Sequence, residues 1–310
     1  MSKITDILGN EYLGYVSGNF ARESIRHPYL MGKELYRFLS HWLLGTTERP
    51  KEGLRFENHS HSHYSDGDEL GYIVDYLFDE GIYIWSLTDH DTSDGFDDLA
   101  SGRYDLNENT ESERKYDIDV NLDGRSMVIR SGSQELVLLR SIEKMTDKGE
   151  IGIHGYSGDL PYKEMSVDET IKRAIMAGAF VVINHPDFWS GIGYHGEDVI
   201  REAIKVAREY NGVIAIEKNG TEIPPQSYSP MRADLLARKL NIPLVCSGDA
   251  HGLYMYGKSG IVFDEEEYRE VLKENDGNHA DAVKELIRRR EFDTYFNYLT
   301  PEEFLNFFQF

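Results

Sequence analysis

Between Leu54 and Ser247 short β-rich runs alternate with amphipathic helical runs, and this alternation restricts the fold more than any other feature of the chain. Such runs build βα units around a parallel sheet or barrel. The strand candidates are Leu54 to Asn58, Ile82 to Leu87, Leu136 to Arg140, Ile151 to His154, Phe180 to Asn184, Val213 to Glu217 and Pro243 to Ser247. Seven strands predict a closed or nearly closed α/β barrel over residues 54–310. Ser166 with Glu169, and Thr300 with Pro301 and Glu303, carry the signals of helix starts. Residues 1–53 read as a helical N-terminal extension, apolar at helical spacing from Leu35 to Leu44; it suits either a cover on the barrel or an oligomerisation arm. Asp94 to Asp123 holds ten acids and three bases. That stretch reads as a solvated insertion or surface hairpin, with a substrate lid as the alternative.

Composition removes several function classes. Lys and Arg number 33 against 55 Asp and Glu, a formal net charge of −22. A long polyanion held by cationic side chains is therefore disfavoured, because nucleic-acid affinity rests on Lys and Arg displacing phosphate counterions. The single cysteine, Cys246, excludes an intramolecular disulfide framework and reads as a small core residue. No run reaches the ~18 apolar residues of a membrane span and no signal peptide opens the chain, so a soluble, cytoplasmic protein is expected.

Imidazoles and isolated acids concentrate at strand ends. His59 and His61 follow the first strand at i, i+2 spacing, which puts both on one face of an extended segment. Asp66 lies in the next turn, the second strand ends in Thr88-Asp89-His90, and the fourth ends at His154. The fifth leads into Asn184-His185-Pro186 and the seventh into Asp249-Ala250-His251. In a parallel barrel these ends share one mouth. Buried acids and imidazoles without a cation cost several kcal/mol each, of order, whereas divalent ions turn the same groups into ligands.

These blocks resemble the PHP (polymerase and histidinol phosphatase) family of metal-dependent phosphoesterases. Its motifs recur in order as His59-Ser60-His61 with Ser65-Asp66-Gly67, Thr88-Asp89-His90, Glu135, His185-Pro186 and Asp249-Ala250-His251. The resemblance implies a distorted seven-stranded β/α barrel with two or three divalent ions (Mn, Fe or Zn). It implies a first ion on His59, His61, Glu135 and Asp249, a second bridged by Glu135 to His154 and His185, and a third on Asp66, His90 and His251. Asp89 is expected to orient a ligand, and His63 to be a loop residue outside the set.

A cluster of divalent ions suits a phosphate group and a hydroxide, so hydrolysis of a small phosphomonoester is the expected reaction. His195 is the candidate proton donor to the leaving group. Lys218 and, less directly, Arg232 and Lys258 are candidate phosphate contacts, and Tyr156, Trp189 and Tyr194 could stack on a ring. The expected partner is a small phosphorylated metabolite. Alternatives are a phosphodiesterase or short-oligonucleotide nuclease, a non-catalytic metal-binding accessory domain, and amide hydrolysis at the same ions.

Overall fold

The computed structural model describes residues 26, 28–110, 112–160, 164–220 and 228–303. Within them the strands are β1 (Leu54–Glu57), β2 (Ile84–Leu87), β3 (Asp117–Val120), β4 (Ser126–Ser131), β5 (Gln134–Thr146), β6 (Gly149–His154), β7 (Phe180–Ile183), β8 (Ile214–Asn219), β9 (Leu244–Ser247), β10 (Gly260–Phe263) and β11 (Asp293–Tyr295). The helices are α1 (Pro28–Leu44), α2 (Leu70–Glu80), α3 (Asp94–Ser101), α4 (Val167–Met176), α5 (Glu197–Glu209), α6 (Tyr228–Leu240), α7 (Glu265–Glu274) and α8 (His279–Arg289).

All seven expected strands form, and they neighbour one another in the order β1-β2-β5-β6-β7-β8-β9. The ring shuts just past the strand ends through a parallel bridge between Ser60 and Ala250. There His61 N donates to Ala250 O at 2.8 Å and Ala250 N to His59 O at 3.2 Å. One strand departs from the expected direction: β6 is antiparallel to both β5 and β7. The cause is local. Only Asp147 and Lys148 separate β5 from β6, and a parallel crossover needs a dozen or more residues.

Side-chain parity then sorts core from site. Ile84, Val137, Leu139, Phe180, Val182, Val213, Ala215 and Val245 belong to one buried cluster with apolar residues of α7 and α8. Continuing the same alternation toward the strand exits gives His90, Glu143, Asn184, Glu217 and Asp249. The barrel interior is thus apolar at one end and ionisable at the other. Outside, α4, α5 and α6 cover the other faces of β7 and β8, with Ile171, Ile200 and Leu236 against Val181, Ile183, Ile214 and Ile216.

Four strands lie beyond the expected seven. β3, at the end of the acidic stretch, forms a hairpin with β4 just past it, and β4 pairs with Gln134 to Leu139 at the start of β5. The hairpin therefore extends the sheet at the end away from the strand exits, and the lid alternative fails for it. Its acids alternate with Ile118 and Val120 along β3, so composition hid the strand pattern. β10 and β11 add antiparallel strands beside β1. Both helix-start signals hold: Glu169 N donates to Ser166 Oγ at 3.3 Å, and Thr300 and Glu303 cap each other reciprocally at 2.8 and 3.2 Å.

Of the N-terminal extension, residues 1–25 lie outside the described residues. α1 packs Phe38 and Trp42 against Phe296, Tyr298 and the buried Cys246, and Trp42 Nε1 donates to Leu299 O at 2.7 Å. No helix of the described residues is long and apolar enough to cross a membrane.

Candidate metal centre

Five imidazoles and four carboxylates meet at the strand exits: His59, His61, His90, His185 and His251 with Asp66, Glu143, Glu150 and Asp249. β1 runs into His59 and His61, β2 into His90, and β9 into Asp249 and His251. β5, longer than the sequence suggests, carries Glu143 to the same level. The reversal of β6 brings its first residues, not its last, to this rim, so Glu150 arrives there. His185 and Asp249 have positive φ, 24° and 46°. Strain of this kind in non-glycine residues persists where surrounding contacts enforce it, and it clusters at functional sites.

Donor spacing matches coordination. Ligands ~2.1 Å from one ion lie roughly 3.0 to 3.4 Å from each other in octahedral or tetrahedral arrays. His59 Nε2 lies 3.3 Å from His61 Nε2, 3.2 Å from Glu143 Oε1 and 3.3 Å from Asp249 Oδ1. His61 Nε2 lies 3.1 Å from Asp249 Oδ1. His185 Nε2 is 3.0 Å from Glu143 Oε1 and 3.6 Å from Glu150 Oε2. On the outer side Asp66 Oδ1 stands 3.6 Å from His90 Nε2 and 3.5 Å from His251 Nε2.

The partners behind the rings assign the tautomers. His59 Nδ1 lies 2.7 Å from Glu217 Oε1 and His251 Nδ1 2.9 Å from Asp249 O, so both Nδ1 atoms donate. Ser65 Oγ spends its proton on Asp89 Oδ1 at 2.6 Å and can only accept from His61 Nδ1 at 3.4 Å. In each ring the lone pair is left on Nε2, the atom that faces the other donors. Converging lone pairs and carboxylates repel unless a cation stands among them, and this donor set fits divalent ions.

The electrostatics agree. Burial disfavours charge on His59, yet Asp249, Glu217 and Glu143 raise its pKa well above the usual imidazole range. Burial likewise opposes His90 and His185. Hydrogen bonds to Asp66 and Glu143 push His90 up to about 11, and Glu143 pushes His185 up to about 10. Burial and the neighbouring His251 push His61 down to about 4. Glu143 and Asp249 stay far below the carboxylate range despite burial, held there first by the charge of His59. In the protein alone the acids draw protons onto His59, His90 and His185, and ion binding would release them and free the Nε2 lone pairs.

Several expected site residues lie elsewhere. Glu135 is the second residue of β5, eight positions before Glu143 on the same strand, or roughly 26 Å of extended chain. It accepts from Arg130 Nε at 3.0 Å and lies far from the cage; Glu143 occupies the place expected of it. His154, at the end of the reversed β6, is stacked on Phe180 below the cage and joins none of the ligand groups. Burial and the charge of His59 push it down to about 3. Lys218 points out of the barrel, where it pairs with Glu34 and Asp234 at 3.2 and 2.9 Å, so it is no phosphate contact. Lys258 pairs with Glu303, and Tyr156 is buried beneath Arg140.

His195 and Arg232 lie in elements that touch the chain segment after His185. His195 ends a short 3-10 turn, Ile192–His195, that rests on the His185-Pro186 backbone. A Cβ on Gly191 or Gly193 would meet His185 O or Pro186 O at 2.2 and 2.3 Å, so only glycine allows this approach. Arg232 Nη1 pairs with the buried Asp187 at 2.7 Å, two residues past His185. Asp89 holds the loop after β1, accepting from Ser62 N at 2.7 Å, Ser62 Oγ at 2.8 Å and Ser65 Oγ at 2.6 Å. His63 is a loop residue bonded to Leu70 N, as expected. Glu143, Glu150, Asn184 and Glu217 are site residues the motifs did not reveal. The turn-forming Asp147-Lys148-Gly149 is the sequence signal for the first two, since it marks a hairpin where β5 and β6 meet.

No known family's sequence profile matches the chain, and no curated protein matches it. In structure it is similar to PsfC from Pseudomonas syringae, at 14% identity over 84% of this chain and 98% of that one, with a TM-score of 0.55. That likeness is one of fold. Weaker likenesses include a two-domain protein from Bacteroides vulgatus containing a predicted PHP-like metal-dependent phosphoesterase, at 17% identity over 85% of this chain and 72% of that one, TM-score 0.48. An amidohydrolase from Chromobacterium violaceum follows at 14% identity over 64% and 87%, TM-score 0.42.

Proposed function

We propose that this barrel is a metal-dependent hydrolase of small phosphomonoesters. The observation that carries the reading is the convergence of His59, His61, Glu143 and Asp249, with ring tautomers set so that Nε2 lone pairs face inward. These four would hold a first ion, Glu143 with Glu150 and His185 a second, and Asp66, His90 and His251 a third. Divalent ions bound there supply Lewis acidity toward phosphoryl oxygens and a nucleophilic water at neutral pH.

The remaining work falls to the chain. Asp89 keeps the His59–Ser65 loop in place, and Asn184 and Asn219 orient Glu143 and Asp249 through bonds of 2.7 and 3.1 Å. Asp187 aims the Arg232 guanidinium beside the His185 loop, where it can meet a substrate phosphate. His195, exposed at the end of the turn that packs on the His185-Pro186 backbone, would be the proton donor to the leaving oxygen. The charge of −22 repels long polyanions and favours a small substrate over a nucleic acid.

The test is Mn-reconstituted protein assayed on p-nitrophenyl phosphate, on the corresponding bis-ester and on a panel of phosphorylated metabolites. Monoester turnover lost on chelation and restored by metal is expected. Preference for the bis-ester would replace the monoesterase reading, and absence of turnover by fully loaded protein would end it.

A further inference from the structure

Glu217, on β8, is fully buried and belongs to none of the groups able to hold an ion. Four donors converge on its carboxylate. Oε1 accepts from His59 Nδ1 at 2.7 Å and from Ser247 Oγ, while Oε2 accepts from His185 N at 2.7 Å and from Asn219 Nδ2 at 3.5 Å. Only an all-acceptor group satisfies this set. The contacts reach β1, β7 and β9 at once, and one of them grips the backbone of His185, whose φ is 24°.

We infer that Glu217 is a positioning residue that sets two arms of the cage together, fixing the His59 tautomer with one oxygen and the strained His185 backbone with the other. This rests on the metal reading above. Because both oxygens are taken by donors behind the cage, Glu217 acts on bound ions only through His59 and His185. Glutamine has the same size but one acceptor oxygen, and its amide N–H groups would face a donor. In Glu217→Gln the ring of His59 or the peptide of His185 must therefore give way.

The experiment titrates stripped wild-type and Glu217→Gln protein with Zn by calorimetry, and reads the ring nitrogens of His59 by 15N NMR in Zn-loaded wild type. Glu217→Gln should weaken the ions held through His59 and His185 about 10- to 100-fold. The phase belonging to Asp66, His90 and His251 should change little. Loaded wild type should show His59 protonated on Nδ1. Superimposable isotherms would overturn the inference, as would a proton on His59 Nε2, a reading on wild type that stands even where the variant fails to fold. Wild type that takes up no ion ends the functional reading instead, so the two failures are distinguishable.

Discussion

β8 feeds two polar networks on its opposite faces, and they are built differently. Outward, Lys218 meets Glu34 and Asp234, Arg37 bridges Glu34 and Glu48 at 3.3 and 3.2 Å, and Tyr298 Oη donates to Glu34 at 2.7 Å. Each acid there has a fixed cation and the Lys218 ammonium lies 4.5 Å from the Phe296 ring centre. Inward, Glu217 and Asn219 support a cage whose acids face one another and the lone pairs of imidazoles. The outer network is complete as a protein and stabilises the seat of α1. The inner one is complete only with ions, and its excess of acceptors is what the protein offers to them.

Substitution within each network gives the sharpest contrast. Glu143→Gln removes the carboxylate that the Nε2 atoms of His59 and His185 share, at 3.2 and 3.0 Å. Hydrolysis should fall at least on the order of 10^2- to 10^3-fold, as for loss of a preorganised electrostatic group, and metal content measured on the purified variant should drop with it. Lys218→Met should do the reverse. It removes one of the two cations on the buried Glu34 and leaves that acid to Arg37 and Tyr298, at a cost of about 2 kcal/mol, or roughly 4 to 8 °C in melting temperature at ~2–4 °C per kcal/mol. Metal content and kcat/KM should stay at wild-type values. If Lys218→Met empties the cage, the two networks are one and the comparison collapses.

Much of the cage is legible in the sequence because its members sit next to strand ends that apolar runs mark clearly. His59, His61, His90, Asp249 and His251 all fall within a few residues of those ends. Glu143 does not. β5 is 13 residues long, about twice a usual strand, and polar residues from Arg140 onward make it look finished early. An acid at the strand's start then takes the place of one at its exit. His154 is misplaced for a related reason: the apolar run of β6 looks like one more parallel strand, while its short link to the full-length β5 makes it the return arm of a hairpin. Lys218 shows the limit of parity. β8 is buried along its whole length, so hydrophobic alternation does not say which of the adjacent Glu217 and Lys218 faces the interior.

The smallest expected effect tests that same misreading. Glu135 is partly exposed, with its side chain 39% accessible, and its partners are Arg130 Nε at 3.0 Å and Tyr83 Oη at 3.5 Å. An exposed pair of this kind contributes at most about 1 kcal/mol. Glu135→Gln should therefore leave metal content and kcat/KM unchanged and lower the melting temperature by about 2 to 4 °C or less. The variant is informative because it and Glu143→Gln make the same chemical change on one strand, at opposite ends of the barrel. If Glu135→Gln strips the ions while Glu143→Gln retains them, the strand register of β5 against β2 and β6 is wrong, and the cage must be rebuilt around the other end of the barrel.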